Sequence, residues 1–310
     1  MPQTWPDMRQ RAWLLDASIY IFRAWFSLPD RWHTADGMPL NAVYGYAGFL
    51  CDFIAQTRKG DWVTAAFDES LGTGFRHQLY PLYKSSRELP DAALAFQLRT
   101  CRRLTELSGV SCYGGPGYEA DDYLASLAAL AKARDLPVTV LTRDKDLGQL
   151  LQDDQDSWWD FAADQRLDIV AFTERFGVRP DQFADYLALV GDRIDDIPGV
   201  PGVGPRTAAL LLQHFGDIET LWRQLDSVAG IPVRGAAKLA DKLSAHREQI
   251  HLSRQLATLE AAIPAMAPAQ PFAPGPQASE QVIAYLEALN IKGPLLQRWR
   301  RLQGEMACAS

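Results

Sequence analysis

Mostly apolar runs at residues 12–15, 63–67 and 138–142, interrupted only by threonine, are short, and each leads at once or within two positions to an aspartate: Asp16, Asp68 and Asp144. Runs of four or five apolar residues suit strands covered on both faces. Between them the apolar positions recur at helical spacing, over residues 42–57, 92–108 and 119–134. Strands alternating with helices predict a parallel sheet with helices packed on its faces. From about residue 179 the strand pattern stops. Gly and Pro cluster at residues 198–205, and 207–215 reads as a helix. Residues 264–276 contain five prolines and read as an extended connector. Residues 279–301 return to helical periodicity, with Val282, Tyr285, Leu286 and Leu289 on one side and Ser279 as N-cap.

Composition narrows the class. The chain has 310 residues, 47% hydrophobic and 22% charged, which is ordinary globular composition for one or two domains. No apolar run is long enough to span a bilayer, and residues 1–10 lack the apolar core of a secretory signal. A cytoplasmic protein without a membrane partner is expected. Cys51, Cys101, Cys112 and Cys308 form no C-x-x-C pair, and the histidines are not spaced as a metal set. The net charge of −7 argues against a general nucleic-acid coat.

The acidic residues change that picture, because they are concentrated. In open parallel sheets, ligands bind beyond the carboxyl ends of the strands, so Asp16, Asp68 and Asp144 belong on one rim, with Asp146 two residues on. The segment 117–122 (GYEADD) opens a helix with Glu119, Asp121 and Asp122, and 191–196 adds Asp192, Asp195 and Asp196. Any one of these alone reads as a turn or cap residue. Gathered together they would repel one another and raise their own pKa values unless cations intervene. An all-oxygen donor set without His or Cys favours Mg²⁺ or Mn²⁺, and two such ions are the usual equipment for phosphodiester hydrolysis.

The stretches 14–23 (LLDASIYIFR), 42–46 (AVYGY), Phe67-Asp68 with Phe75-Arg76, 83–87 (YKSSR), 117–122 (GYEADD), 141–147 (LTRDKDL) and 191–204 together resemble the 5′-nuclease domain of bacterial DNA polymerase I and its stand-alone flap-endonuclease relatives. They occur in family order across roughly residues 12–260. The resemblance implies an α/β, PIN-like 5′-nuclease domain with a parallel central sheet, followed by a helical, helix-hairpin-helix-like (H3TH) DNA-binding module. It also implies that Asp16, Asp68, Glu119 and Asp121 hold a first ion with support from Asp122. Asp144, Asp146, Asp192 and Asp195 would serve a second. The chain departs from the family pattern at Ala17, Ile19, Asp196 and Gly148; Gly148 stands where an aromatic is common, which puts local packing in question. The chain carries no polymerase; it reads as either a stand-alone enzyme or an excised domain, and the start of the sequence favours the former.

Residues 76–103 are locally basic, with Arg76, Lys84, Arg87, Arg99, Arg102 and Arg103 against Glu88 and Asp91. The resemblance makes this an arch, near residues 70–105, that admits a single-stranded 5′ end. Lys84 and Arg87 would offset charge on the scissile phosphate, with Arg23 beside them as a further catalytic candidate. Arg76 would position a phosphate; Tyr83 could stack on a base or be core. The segment 197–204 (IPGVPGVG) before the 207–215 helix reads as a hairpin. Its Gly202 and Gly204 let backbone N–H groups approach a phosphate, with Arg206 and Thr207 at the helix start. In the family this element also binds K⁺ through main-chain carbonyls, matched here by Leu189, Val200 and Val203. Arg234, Lys238, Lys242, Arg247 and Arg254 could extend that basic face.

The expected organisation is a catalytic domain over 1–188, a DNA-binding module over 189–262, a connector over 263–278 and a C-terminal helix and tail over 279–310. The expected function is metal-dependent 5′-3′ exonuclease or flap-endonuclease cleavage of DNA at a 5′ end or flap, with Mg²⁺ or Mn²⁺ as cofactor and K⁺ at the hairpin. By resemblance the products are a 5′-phosphate and a 3′-hydroxyl. Two alternatives remain: a structure-specific DNA-binding protein with weak catalysis, and a ribonuclease of the related fold group.

Overall fold

A computed structural model describes residues 10–70, 72–233, 235–264, 266, 269–270 and 276–309. The N-terminal segment read for a signal lies largely outside these residues, as do Arg234 and much of the connector. In chain order the elements begin with β1 (Ala12–Asp16), α1 (Ala17–Ser27), α2 (Asn41–Ile54), β2 (Trp62–Ala66), α3 (Phe75–Leu79) and α4 (Ala92–Leu107). There follow β3 (Ser111–Tyr113), α5 (Ala120–Lys132), β4 (Val138–Leu141), β5 (Ser157–Asp160), β6 (Gln165–Leu167) and α6 (Ile169–Phe176). Helices complete the chain: α7 (Phe183–Val190), α8 (Pro205–Phe215), α9 (Ile218–Arg223), α10 (Ala236–Ala245), α11 (Arg247–Ala257), α12 (Pro276–Ala288) and α13 (Pro294–Ala309).

The chain forms two compact units. The first comprises residues 1–69, 89–142 and 261–310, the second residues 70–88 and 143–260. The first unit is built on parallel strands in the order β3-β2-β1-β4. Every residue of β1, β2 and β4 is buried, as expected of parallel strands covered on both faces. Helix α5 packs on β1, β2 and β4. Gln97 of α4 is fully buried and accepts hydrogen bonds from the Ala42 and Val43 amides at 2.7 and 3.2 Å. It thereby caps α2, whose own N-cap residue, Leu40, has no side-chain acceptor.

The C-terminal residues belong to this unit. They form two helices rather than the single stretch read over 279–301. Asn290 and Gly293 both take positive φ (64° and 81°) and Pro294 starts the next helix, a combination that ends one helix and begins another. Helix α12 packs on α13 and α4, and α13 packs on α2. Trp299 is 1% exposed and donates its indole N–H to the Ala47 carbonyl at 3.1 Å.

The second unit joins the antiparallel pair β5–β6 to helices α6–α11. Asp168 caps α6 through the Ala171 amide at 2.8 Å, and Asp217 caps α9 through Thr220 at 2.6 Å. Helix α7 is the hub, packing on α8, α11 and a 3₁₀ turn at Asp146–Leu150. Gly148, where an aromatic was expected, sits in that turn. A Cβ there would lie 2.0 Å from the Phe172 ring, and Phe172 of α6 is fully buried. The aromatic volume is thus supplied from a neighbouring helix, which resolves the packing question the sequence raised.

Candidate metal and nucleic-acid site

In the first unit the carboxylates are placed by backbone register. Asp16 pairs with Ala66, and Leu15 with Leu141, so β1, β2 and β4 finish level. Asp68 and Thr142 then follow at the same rim. The Thr142 hydroxyl donates to Asp16 Oδ2 at 2.8 Å, and the Asp68 amide donates to Ser18 Oγ at 2.9 Å. Asp16 is 5% exposed and also accepts from the Ile19 amide as the N-cap of α1. Because α5 packs across these strands, its acidic N-terminus belongs to the same unit. Glu119 is its N-cap; Asp121 and Asp122 fill its first turn, where the helix dipole favours negative charge. Asp122 is fully buried, and its Oδ2 accepts the Glu119 amide at 3.0 Å. It therefore shapes the helix start.

In the second unit the carboxylates sit on loops and are held by the chain's own cations. Lys145 Nζ lies 2.5 Å from Asp192 Oδ2 and 3.2 Å from Asp146 Oδ1. That Asp146 oxygen is buried and accepts no hydrogen bond. Burial first, then the Asp144 charge, push the Asp146 carboxyl well above its ordinary pKa. Asp144 accepts the Asp146 amide at 2.9 Å, and its carbonyl accepts the Trp158 indole N–H at 2.7 Å. Asp195, 9% exposed, is paired with Arg87 Nη2 at 2.5 Å and Lys84 Nζ at 3.6 Å. Lys84 and Arg87, predicted as partners in one site, are thus brought together on a predicted metal carboxylate. Lys84 also takes φ of +50° while its amide donates to the Asp195 carbonyl at 3.0 Å, an unusual backbone state for a non-glycine residue. Asp196 has φ +54°, a conformation Asp tolerates better than most residues.

Among the described residues, no three His, Cys, Asp or Glu side chains converge closely enough to hold an ion as they stand. The donor chemistry nevertheless fits one. All nine predicted ligands present oxygen, and in the second set a buried carboxylate oxygen without a hydrogen bond is faced by an ammonium. A divalent cation needs the same kind of place. Lys145 was not singled out in the sequence; the signal was its position between Asp144 and Asp146.

Two predicted DNA contacts are placed otherwise. Arg76 is 2% exposed and donates to the carbonyls of Leu256 and Thr258, both at 2.8 Å. A guanidinium at a helix C-terminus meets carbonyls left over by the helix, so Arg76 secures the end of α11 rather than offering itself to phosphate. Tyr83 is also 2% exposed, with His77 edge-on and Lys84 Nζ 5.0 Å from the ring centre. Its ring is core, the second of the two roles its sequence allowed, and offers no stacking surface. Arg23 and Arg206 are exposed.

The hairpin before α8 has the backbone its sequence requires. Gly191 has φ +82°, and a Cβ on Gly199 would lie 2.1 Å from the Val190 carbonyl oxygen, so the two loop segments touch only because both lack side chains. Gly202 takes φ +77°, with Lys242 Nζ close enough to stand 3.1 Å from an added Cβ. Gly204 is the N-cap of α8, Pro205 is at its first turn, and Thr207 is partly exposed. The Leu189 carbonyl accepts the Val200 amide, and the Val200 carbonyl accepts the Val203 amide, both at 2.9 Å.

Comparison with known families decides the lineage. Residues 11–177 match the 5′-3′ exonuclease N-terminal resolvase-like domain, and residues 178–280 match the 5′-3′ exonuclease C-terminal SAM fold. The chain belongs to the 5′-3′ exonuclease family. DNA polymerase I of Pseudomonas aeruginosa is 36% identical over 280 residues, covering 90% of this chain and 30% of that protein. The thermostable DNA polymerase I of Thermus aquaticus is 36% identical over 268 residues, covering 83% and 29%. This exonuclease-family chain therefore spans about a third or less of the length of these relatives. A structure of divalent metal ions (zinc) bound to T5 5′-exonuclease superposes with a TM-score of 0.63 at 18% identity, covering 96% of this chain and 99% of that one. The catalytic core of Rad2 in complex with DNA substrate gives 0.64 at 11%, covering 96% and 93%. The predicted α/β class with a helical C-terminal module is thus the fold of this family, and its members are nucleases. No helix among the described residues is long and apolar enough to cross a membrane.

Proposed function

We propose that this exonuclease-family member is a divalent-metal-dependent, structure-specific nuclease that hydrolyses DNA at a 5′ end or 5′ flap. The observation that carries this reading is the full complement of carboxylates, five in the first unit and four in the second, in a chain of this family. Asp16, Asp68, Glu119 and Asp121 would hold one ion, with Asp122 fixing the helix start. Asp144, Asp146, Asp192 and Asp195 would serve another. When bound, Mg²⁺ or Mn²⁺ would supply an activated water and stabilise charge on the phosphate. Lys84 and Arg87 would donate to the scissile phosphate oxygens, exchanging their pairing with Asp195 for that contact. The exposed N-terminus of α8, with Gly202, Gly204, Arg206, Thr207 and Lys242, would grip duplex backbone without reading bases. The Leu189, Val200 and Val203 carbonyls are the candidates for K⁺, each through a lone pair not used in the hairpin. A cytoplasmic setting is part of the same reading.

The test is cleavage of a 5′-labelled DNA flap with Mg²⁺, Mn²⁺ or EDTA, beside a blunt duplex and an RNA flap. Metal-dependent cutting near the DNA flap junction is expected. Tight flap binding without cutting would favour a binding protein instead, and preference for the RNA flap would move the substrate to RNA.

A further inference from the structure

We infer that Lys145 is a built-in counter-ion for the second carboxylate set, competing with the second divalent ion for Asp146 and Asp192. The inference rests on the assignment of that set to metal binding. Its basis is local. Lys145 is the residue between Asp144 and Asp146, and its ammonium contacts Asp192 at 2.5 Å and Asp146 at 3.2 Å. Asp146 Oδ1 is buried and accepts no hydrogen bond, so in the metal-free chain its charge is met by this ammonium. Asp192 is buried and Lys145 is only partly exposed, so the pair is shielded from the water that makes surface ion pairs weak.

The consequence is a swap. Three of the four acidic side chains on these loops face basic ones, Asp146 and Asp192 against Lys145, and Asp195 against Lys84 and Arg87. An ion with hard oxygen preference can use the Asp146 and Asp192 oxygens only when the ammonium leaves them. Lysine is suited to leaving, since a point charge on a flexible four-carbon stem withdraws without disturbing the backbone. The swap lets the loops fold without metal and makes the second ion the weaker-bound of the two.

The proposal is tested by counting bound Mn²⁺ with electron paramagnetic resonance and isothermal titration on the full chain. The variants are Lys145→Met, which keeps the stem and removes the charge, and Lys145→Arg, which keeps the charge. K145M is expected to bind the weaker class of Mn²⁺ at least tenfold tighter, to melt lower without metal, and to recover on adding Mn²⁺; K145R is expected to stay near wild type. As a second readout on the wild-type chain, reductive methylation read by mass spectrometry should label Lys145 several-fold faster with Mn²⁺ present. Unchanged or weaker Mn²⁺ binding by K145M, or unchanged labelling, overturns the competition while leaving the metal reading intact. Absence of a second Mn²⁺ class in both wild type and K145M would overturn the metal reading of these loops as well.

Discussion

The two carboxylate sets stand on different scaffolds. In the first unit, strand register sets Asp16 level with Ala66, and neutral groups, the Thr142 hydroxyl on Asp16 and Ser18 beneath Asp68, fix the local geometry. In the second unit the acids lie on a 3₁₀ turn and on the loop after α7, and Lys145, Lys84 and Arg87 hold them. A sheet rim orients carboxylates through a rigid backbone. Loops lack that scaffold, so charge pairing does the positioning and the acids remain stable before any metal arrives. The first set stands on a sheet rim and a helix start; the second, on loops, is partly neutralised by lysine and arginine.

The largest effect that could break this comparison comes from Asp68→Asn against Asp192→Asn. Both are expected to lower flap cleavage by ~10³-fold or more, the scale of losing a metal ligand that stabilises the transition state. Without metal, Asp68→Asn should leave the reductive-methylation rate of Lys145 unchanged. Asp192→Asn should raise it, because Lys145 loses its closest partner. Equal rates would mean that Asp192 does not hold the ammonium.

A smaller effect separates chemistry from grip. Lys84→Ala is expected to slow single-turnover cleavage by roughly a hundredfold, the scale of removing one preorganised donor, while flap affinity changes little. Equal losses in both would make Lys84 a phosphate-positioning residue.

The smallest effect concerns pH. The Asp146 carboxyl is raised by burial and by Asp144, so burial costs its charged form even with Lys145 beside it. The raised folded pKa means that the associated stability is present at acid pH and is lost as pH rises past the ordinary carboxylate value towards neutrality. Asp146→Asn should flatten that slope, melting a few degrees above wild type at pH 8 and near it at pH 4, without metal. Parallel melting curves for both chains would show that Lys145 already compensates the charge in full.

Much of the first unit was legible in the sequence. Apolar runs ending at Asp16 and shortly before Asp68 gave strands and a rim, because a buried parallel strand has one simple sequence signature and its carboxyl end a known use. The 119–134 helix, with its acids in the first turn, was legible for the same reason. The break at Asn290, Gly293 and Pro294 was legible too, in residues that favour positive φ and helix starts, but the apolar periodicity of 279–301 masked it. Arg76 was misplaced, and Tyr83 left open between stacking and core, because charge and aromaticity do not reveal burial. Only packing shows that Arg76 closes the end of α11 and that Tyr83 is covered.

By itself, the sequence determined strands β1, β2 and β4 with helices between them, the nine carboxylates, the basic stretch around Lys84 and the glycines of the hairpin, because each depends on residue type at short spacing. Tertiary structure decided that Phe172 fills the space left by Gly148, that Lys84 and Arg87 rest on Asp195, and that Lys145 bridges Asp146 and Asp192. Most of those contacts join residues far apart in the chain, 108 positions for Arg87 with Asp195 and 47 for Lys145 with Asp192. The Lys145–Asp146 contact alone is local, and even there only the fold decides which way the ammonium points.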